Sequence, residues 1–340
     1  MGDGGIIVTY CRSDEHMGPS GTVLAVRSYD EGLTWSSPIV VRDSVLDDRE
    51  NGLTALADGR LLVHVWSTHH TCESYDRMAD FSYEPAVVEK WMLEVQAKEY
   101  LAAAGQKGGW ILMSADHGLT WELQGPGPDS IHGGIQLASG DVLVASYRGE
   151  NGNIGLFRAS PDDLVWERLS VFTPPELPDR RFGEPHIVQL PSGRVVLMLR
   201  STAIPYDDQS SGNHLWVAWS DDEGRTWSEG CSTGLWGYPP HLLPLSDGRI
   251  LSTYGCRRKP YGERACISSD GINWDPAHEV VLRDDADSLD LGYPASIELE
   301  SGRILTVYYQ SPHCSPPAEM HPPDPLRHKP DIVGTIWEIS

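Results

Sequence analysis

Residues 183–201 read GEPHIVQLPSGRVVLMLRS. An apolar stretch ends at Leu190, Pro191-Ser192-Gly193 interrupts it, and a second apolar run, VVLML, reaches Leu199. Ser-Gly or Asp-Gly between two such runs signals a hairpin turn, and the run after it reads as a buried strand. The unit occurs six times. It appears as DGGIIVTY from Asp3, DGRLLVHVW from Asp58, SGDVLVASY from Ser139, SGRVVLML from Ser192, DGRILSTY from Asp247 and SGRILTVYY from Ser301. The steps between copies are 55, 81, 53, 55 and 54 residues. Self-similarity at such a period marks a repeat architecture. In five copies an apolar strand precedes the turn and ends in Leu three residues before the Gly; the copy at Asp3 lacks it.

A second motif interleaves with the first: SYDEGLTW from Ser28, SADHGLTW from Ser114 and SDDEGRTW from Ser220. SSDGINW from Ser268 is a shortened copy and SPDDLVW from Ser160 a degraded one. The pattern S-x-D-x-G-x-T-W is the Asp-box. Its Ser and Asp can bond turn amides, its Gly supplies a positive φ, and its Trp tucks between strands. Its role is therefore structural. Each repeat reads as four strands, with the Gly turn joining the first two and the Asp-box the last two. Six such units predict an all-β chain folded as a six-bladed β-propeller, one domain over residues 1–340. The last repeat ends at its third strand, IVGTIWEIS, and the first begins at its Gly turn.

Antiparallel strands put both turns on one face, so the long loops and the ends of the second strands share the other. That face is where function is expected. The 81-residue step places an insertion over about residues 80–105 in the second blade. Pro85 suits a helix start and Gly105 a stop, and Val88, Trp91, Met92 and Val95 recur at helical spacing. One amphipathic helix is predicted at about 85–104.

Composition narrows the partners. A formal net charge of −23 argues against a nucleic-acid or anionic-membrane binder. No run approaches a membrane span, and the first residues, MGDGGIIVTYCRSDEH, show no signal-peptide pattern, which reads as a cytoplasmic chain as given. The six Cys include no C-x-x-C pair and read as reduced, mostly buried thiols. The His and Cys of SPHCSPPAEMHPPDPLRHKPD match no standard metal spacing, and no metal or cofactor is expected.

The loop face collects a coherent set of side chains. Asp14 follows the second strand of repeat one. Glu50, Glu184 and Tyr293 each lie six residues before the Leu that ends their first strand, so they project alike. Arg12, Arg148, Arg200, Arg257 and Arg258 sit at or just past the ends of second strands, and Arg264 opens a third strand. Several arginines on one face of an acidic protein point to an anionic ligand, because guanidinium binds carboxylate bidentately.

From the first turn to Trp337 the chain resembles the exo-sialidase (neuraminidase) superfamily. The resemblance rests on CRSDEH, GEPHIVQLPSGRVVLMLRS, GERACISSDG and LDLGYPASIELESGRILTVYY. It implies Asp14 as acid/base, Tyr293 as nucleophile and Glu184 as the base that activates it. It implies Arg200 and Arg264 as the second and third arginines of a triad that holds the sialic-acid carboxylate. The remaining face residues, Arg12, Glu50, Arg148 and Arg257, are substrate-binding candidates. A neutral Tyr avoids the repulsion that a carboxylate nucleophile would meet from that carboxylate, and sialidases depart from the two-carboxylate scheme.

The resemblance has two gaps. Counting back from Asp3 puts the family's leading triad arginine before Met1, which suggests a reading frame that extends upstream and could carry an export signal. The family's Glu after the last Tyr of the final blade is replaced in YYQ, Tyr308 to Gln310. The first function implied is a retaining exo-glycosidase acting on terminal sialic acid or a related acidic sugar. A second is a sialidase-like hydrolase or lyase on uronic-acid glycans, with His132 and His186 as candidate bases. A third is a non-catalytic glycan-binding propeller.

Overall fold

The computed structural model describes residues 3–13, 19–69, 85–101, 105–147, 152–311 and 330–339. The chain divides into two compact units, one up to Ile131 and one from His132 onward that includes the C-terminal strand.

The first unit holds the strands of repeats one and two. β1 (Ile6–Ser13), β2 (Gly21–Ser28) and β3 (Ile39–Arg42) pair antiparallel in sequence. β4 (Asp47–Ala55), β5 (Leu61–Thr68), β6 (Gly108–Ser114) and β7 (Glu122–Pro126) do the same. One parallel bridge, Gly21 with Asp47, joins the two sets. Between β5 and β6 lies helix α1 (Pro85–Leu101), which buries Trp91 and Val95 and leaves Leu93 exposed. Val23, Ala25, Val41, Val63, Val65 and Leu112 form this unit's core.

The second unit contains four sheets. β8 (Ile135–Gln136), β9 (Val142–Ser146), β10 (Ile154–Ala159) and β11 (Glu167–Phe172) form the first. β12 (Arg180–Gln189), β13 (Val195–Ala203), β14 (His214–Ser220) and β15 (Cys231–Trp236) form the second. β16 (Pro240–Pro244), β17 (Ile250–Cys256), β18 (Gly262–Ser268) and β19 (Val280–Val281) form the third. The last has three strands, β20 (Leu291–Glu298), β21 (Ile304–Gln310) and β22 (Asp331–Trp337). Sheets of four antiparallel strands taken in sequence order fit a propeller.

The repeat turns explain their own spacing. In five copies the Gly N–H donates to the carbonyl of the Leu three residues earlier, as in Gly193 to Leu190 at 2.9 Å. That Leu donates its own N–H across the turn, as in Leu190 to the Arg194 carbonyl at 2.8 Å. The turn Gly has a positive φ in all six copies, from 77° at Gly4 to 99° at Gly140, a backbone region that penalises a Cβ.

The Asp-boxes are equally regular. In the copy at Ser220, Ser220 Oγ accepts the Gly224 N–H (2.8 Å) and donates to Asp222 Oδ1 (2.7 Å). Asp222 also accepts the Thr226 amide (2.8 Å) and hydroxyl (2.6 Å). Trp227 Nε1 donates to the Gly224 carbonyl, and the ring packs on the core around Leu143 and Phe172. In the degraded copy Asp162 N reaches Ser160 Oγ at 3.2 Å, Val165 N reaches Asp163 Oδ1 at 3.0 Å, and Leu164 takes a φ of 51° where the others have Gly. Cys11, Cys231, Cys256 and Cys266 are free thiols; Cys231 is exposed. No helix among the described residues is long and apolar enough to cross a membrane.

Candidate active site

The site is built on two backbone irregularities. In β12 the register against β13 slips between Gly183 and His186, and Glu184 within the slip has a φ of 46°. In β20 the register slips between Gly292 and Ala295, and Tyr293 has a φ of 54°. A β-bulge re-aims a side chain out of the normal alternation. Without the bulge, each residue would keep its place in the alternation of its strand. Glu50 in the first unit repeats the device, with a slip between Arg49 and Gly52 and a φ of 49°.

The two bulges bring Glu184 and Tyr293 together. Tyr293 Oη donates to Glu184 Oε1 at 2.8 Å. Arg200 lies opposite Gly183 across the β12–β13 ladder, and its Nη1 donates to both Glu184 oxygens, at 2.9 and 2.7 Å. Its Nη2 donates to Tyr206 Oη at 3.2 Å, and its Cζ sits 4.1 Å from the Tyr238 ring centre, a cation–π contact.

Arg257, just past β17, is buried and also approaches Tyr238, with Cζ 5.3 Å from that ring centre. Its Nε donates to the Leu291 carbonyl at 3.2 Å and its Nη2 to Tyr309 Oη at 3.5 Å. Asp208 lies 3.8 Å from Arg257 and accepts the hydroxyls of Tyr206 (2.7 Å) and Tyr238.

These charges set the protonation of the site. Burial, and then the Glu184 charge, push the Tyr293 phenol up, while Arg200 and Arg257 pull it back only in part. Tyr293 is thus a neutral hydroxyl whose proton already points at a carboxylate. Burial opposes the charge of Arg200, but Glu184 overrides it and holds the guanidinium protonated.

The structure does not bring all the expected residues here. Arg264, expected as the third triad arginine, donates instead to the carbonyls of Glu263, Pro260 and Arg283 and lies 3.6 Å from Glu279. Beside Tyr293 it is Arg257 that supplies the second guanidinium. Arg258 stacks on Trp236 at 3.8 Å and donates to Ser210. Arg12, exposed on β1, and Glu50 belong to the first unit. Asp14 and Arg148 lie outside the described residues.

His186 and His132 form a cluster with His241. His186 stacks on His241 at 4.4 Å, and His132 lies 5.0 and 5.8 Å from the two. His186 Nδ1 accepts the Leu242 N–H at 2.7 Å. Burial holds all three neutral, with His132 and His241 down at about 3. Among the described residues no group of three or more His, Cys, Asp or Glu is placed to hold a metal ion.

Sequence reasoning missed Tyr238, Asp208 and Asp290. A signal for Tyr238 was present: Gly183-Glu184-Pro185, Gly237-Tyr238-Pro239 and Gly292-Tyr293-Pro294 share a G-x-P pattern at the start of three first strands. Asp208 and Asp290 sit in loops that no repeat predicts.

The model of the BNR repeat-like domain matches residues 87–307. The chain belongs to the BNR repeat-like family. Solved structures with the same fold include a protein of unknown function from Dyadobacter fermentans (TM-score 0.71, 23% identity, 99% of this chain and 92% of that one). The NanB sialidase of Streptococcus pneumoniae aligns with a TM-score of 0.64 and 14% identity over 100% of this chain and 67% of its own. The intramolecular trans-sialidase of Ruminococcus gnavus aligns with a TM-score of 0.56 and 14% identity over 100% and 93%. No curated protein matches. This BNR repeat-like chain therefore has a sialidase-like fold.

Proposed function

We propose that this BNR repeat-like protein is a six-bladed propeller and a retaining exo-glycosidase that removes a terminal acidic sugar, sialic acid or a close relative. The observation that carries the reading is the Tyr293–Glu184 hydrogen bond, flanked by Arg200 and Arg257. Tyr293 is poorly nucleophilic as a phenol, and a base at 2.8 Å is the remedy.

In the proposed reaction the sugar carboxylate pairs with the guanidinium groups, which fixes the ring over Tyr293. Tyr293 Oη attacks the anomeric carbon as its proton passes to Glu184. The bond to the leaving oxygen breaks, and that oxygen takes a proton from Asp14, the acid that the resemblance implies. Water then attacks the same carbon from the face the leaving group vacated. It gives its proton to Asp14, the bond to Tyr293 breaks, and Glu184 returns the proton. Two inversions give net retention.

Hydrolysis of a fluorogenic sialoside by the full chain tests this. Tyr293→Phe should lose activity by about a thousandfold or more. Equal rates for wild type and variant would sink the nucleophile assignment. Sialic-acid binding with no turnover by wild type would point to a glycan-binding protein.

A further inference from the structure

The two guanidinium groups beside Tyr293 have different partners. Arg200 commits Nη1 to both oxygens of Glu184. Arg257 has no carboxylate within hydrogen-bond distance among the described residues; Asp208, the nearest, is 3.8 Å away and is held by two tyrosine hydroxyls. What Arg257 Nη2 meets is Tyr309 Oη, at 3.5 Å. Tyr309 donates its own proton to Asp290 Oδ1 at 2.6 Å.

Tyr309 thus repeats the arrangement of Tyr293. Each phenol donates its proton to a carboxylate and belongs to a trio completed by an arginine, and the two rings lie 5.8 Å apart. The order of groups differs. At Tyr293 the arginine grips the carboxylate; at Tyr309 the arginine grips the phenol, and the carboxylate stands one group further away. A hydroxyl whose proton is taken by Asp290 offers its lone pairs to Arg257, so it orients the guanidinium without cancelling its charge. Asp290 is itself fixed, its carbonyl accepting the Ser311 N–H at 2.8 Å and its N–H reaching Ser288 Oγ at 3.1 Å.

We infer that Tyr309, held by Asp290, is the positioning residue of Arg257 and leaves it the principal hydrogen-bond donor to the ligand carboxylate, while Arg200 chiefly serves Glu184. The inference rests on the glycosidase reading for the identity of the ligand, but not for the positioning itself.

Two measurements on the full chain separate those parts. The first is hydrogen exchange at Arg257 Nε–H, followed by NMR with no ligand present. Tyr309→Phe should accelerate it about tenfold relative to wild type, and Asp290→Asn, which leaves no cavity, should act in the same direction. The second is the Tyr309→Phe kinetics on a fluorogenic sialoside. KM should rise about tenfold with kcat within about threefold, and the preference for the sialoside over its methyl ester should fall about tenfold. Unchanged exchange in both variants would overturn the positioning role. A fall in kcat at constant KM would overturn the assignment of Arg257 as the donor to the ligand carboxylate. Faster exchange in a protein whose wild type neither binds nor cleaves the sialoside would leave the positioning standing and overturn the ligand.

Discussion

Tyr293 donates its phenolic proton to Glu184, a residue 109 positions earlier, and Arg200 donates to both oxygens of the same carboxylate. The three groups form one unit, and its members are not equivalent. Removing Tyr293 Oη costs one hydrogen bond to a charged group, about 1.5–3 kcal/mol. Removing the Glu184 carboxylate leaves a guanidinium that is only 13% exposed without its partner, which costs about 3–5 kcal/mol. Glu184→Ala should therefore lower the unfolding temperature more than Tyr293→Phe, and calorimetry reads the difference. If Tyr293→Phe were the more damaging, Arg200 would not depend on Glu184.

The histidine cluster predicts acid lability. His132 and His241 titrate near 3 in the folded protein against an ordinary 6.5, and His186 is lowered as well. Between those values the unfolded chain binds protons that the folded chain refuses. Their contribution is complete above about pH 6.5 and is lost as pH falls toward 3, with each proton worth about 1.4 kcal/mol per pH unit. Glu263, buried and raised, runs the other way: its contribution is lost as pH rises above its ordinary 4.5. The Asp-box carboxylates, at about 2, matter only below their ordinary 3.8. The histidines therefore dominate between pH 6.5 and 4. His132 Nε2 is shielded and has no partner among the described residues. His132→Leu should flatten the fall in urea midpoint between pH 7 and pH 5; an unchanged slope would remove His132 from the account.

The Asp-boxes differ in what they hold. Asp222 accepts hydrogen bonds from the Ser220 hydroxyl and from the Thr226 amide and hydroxyl, whereas in the degraded copy Asp163 accepts the Val165 amide. Asp222→Ala should cost about 1–2 kcal/mol and Asp163→Ala about 0.5. Chemical denaturation of the two variants checks the ranking, and equal losses would refute the stapling role.

Gly255 lies two residues before Arg257, and Gly292 immediately before Tyr293. A Cβ at Gly255 would stand 2.9 Å from Gly292 Cα and 3.0 Å from the Tyr238 carbonyl. Gly255→Ala must push β17 and β20 apart, at a cost of about 1–3 kcal/mol. Because both site residues ride on those backbones, activity should fall about tenfold or more in a protein that still folds. Circular dichroism beside the sialoside assay would show it; full activity would mean that the strands yield without moving the site.

What was legible in the sequence was whatever the repeat encodes locally. The Leu-x-x-Gly turns and Asp-boxes close within eight residues, so their hydrogen bonds follow from spacing alone. The equal offset of Glu50, Glu184 and Tyr293 from their strand-end Leu was visible too, and each has the same left-handed φ. Arg264 shows where this reasoning stops. Its place at the start of a third strand suggested the site, but a guanidinium can turn to backbone carbonyls of its own loop, and those of Pro260 and Arg283 took it. Nothing periodic distinguishes it from Arg257, because the choice is made by Tyr309 and Leu291 from another sheet.

The bulge at Glu184 and Tyr293 has a consequence for how the chemistry could be changed. A left-handed non-glycine residue costs about 1–2 kcal/mol wherever it occurs, and the surrounding ladder must be stable enough to hold it. Once that is met, the position is a socket whose occupant is interchangeable: a carboxylate at Glu50 and Glu184 and a phenol at Tyr293 fit the same mount. Retuning what this site accepts should then be a matter of exchanging plugs in sockets that already exist, with the strands left as they are.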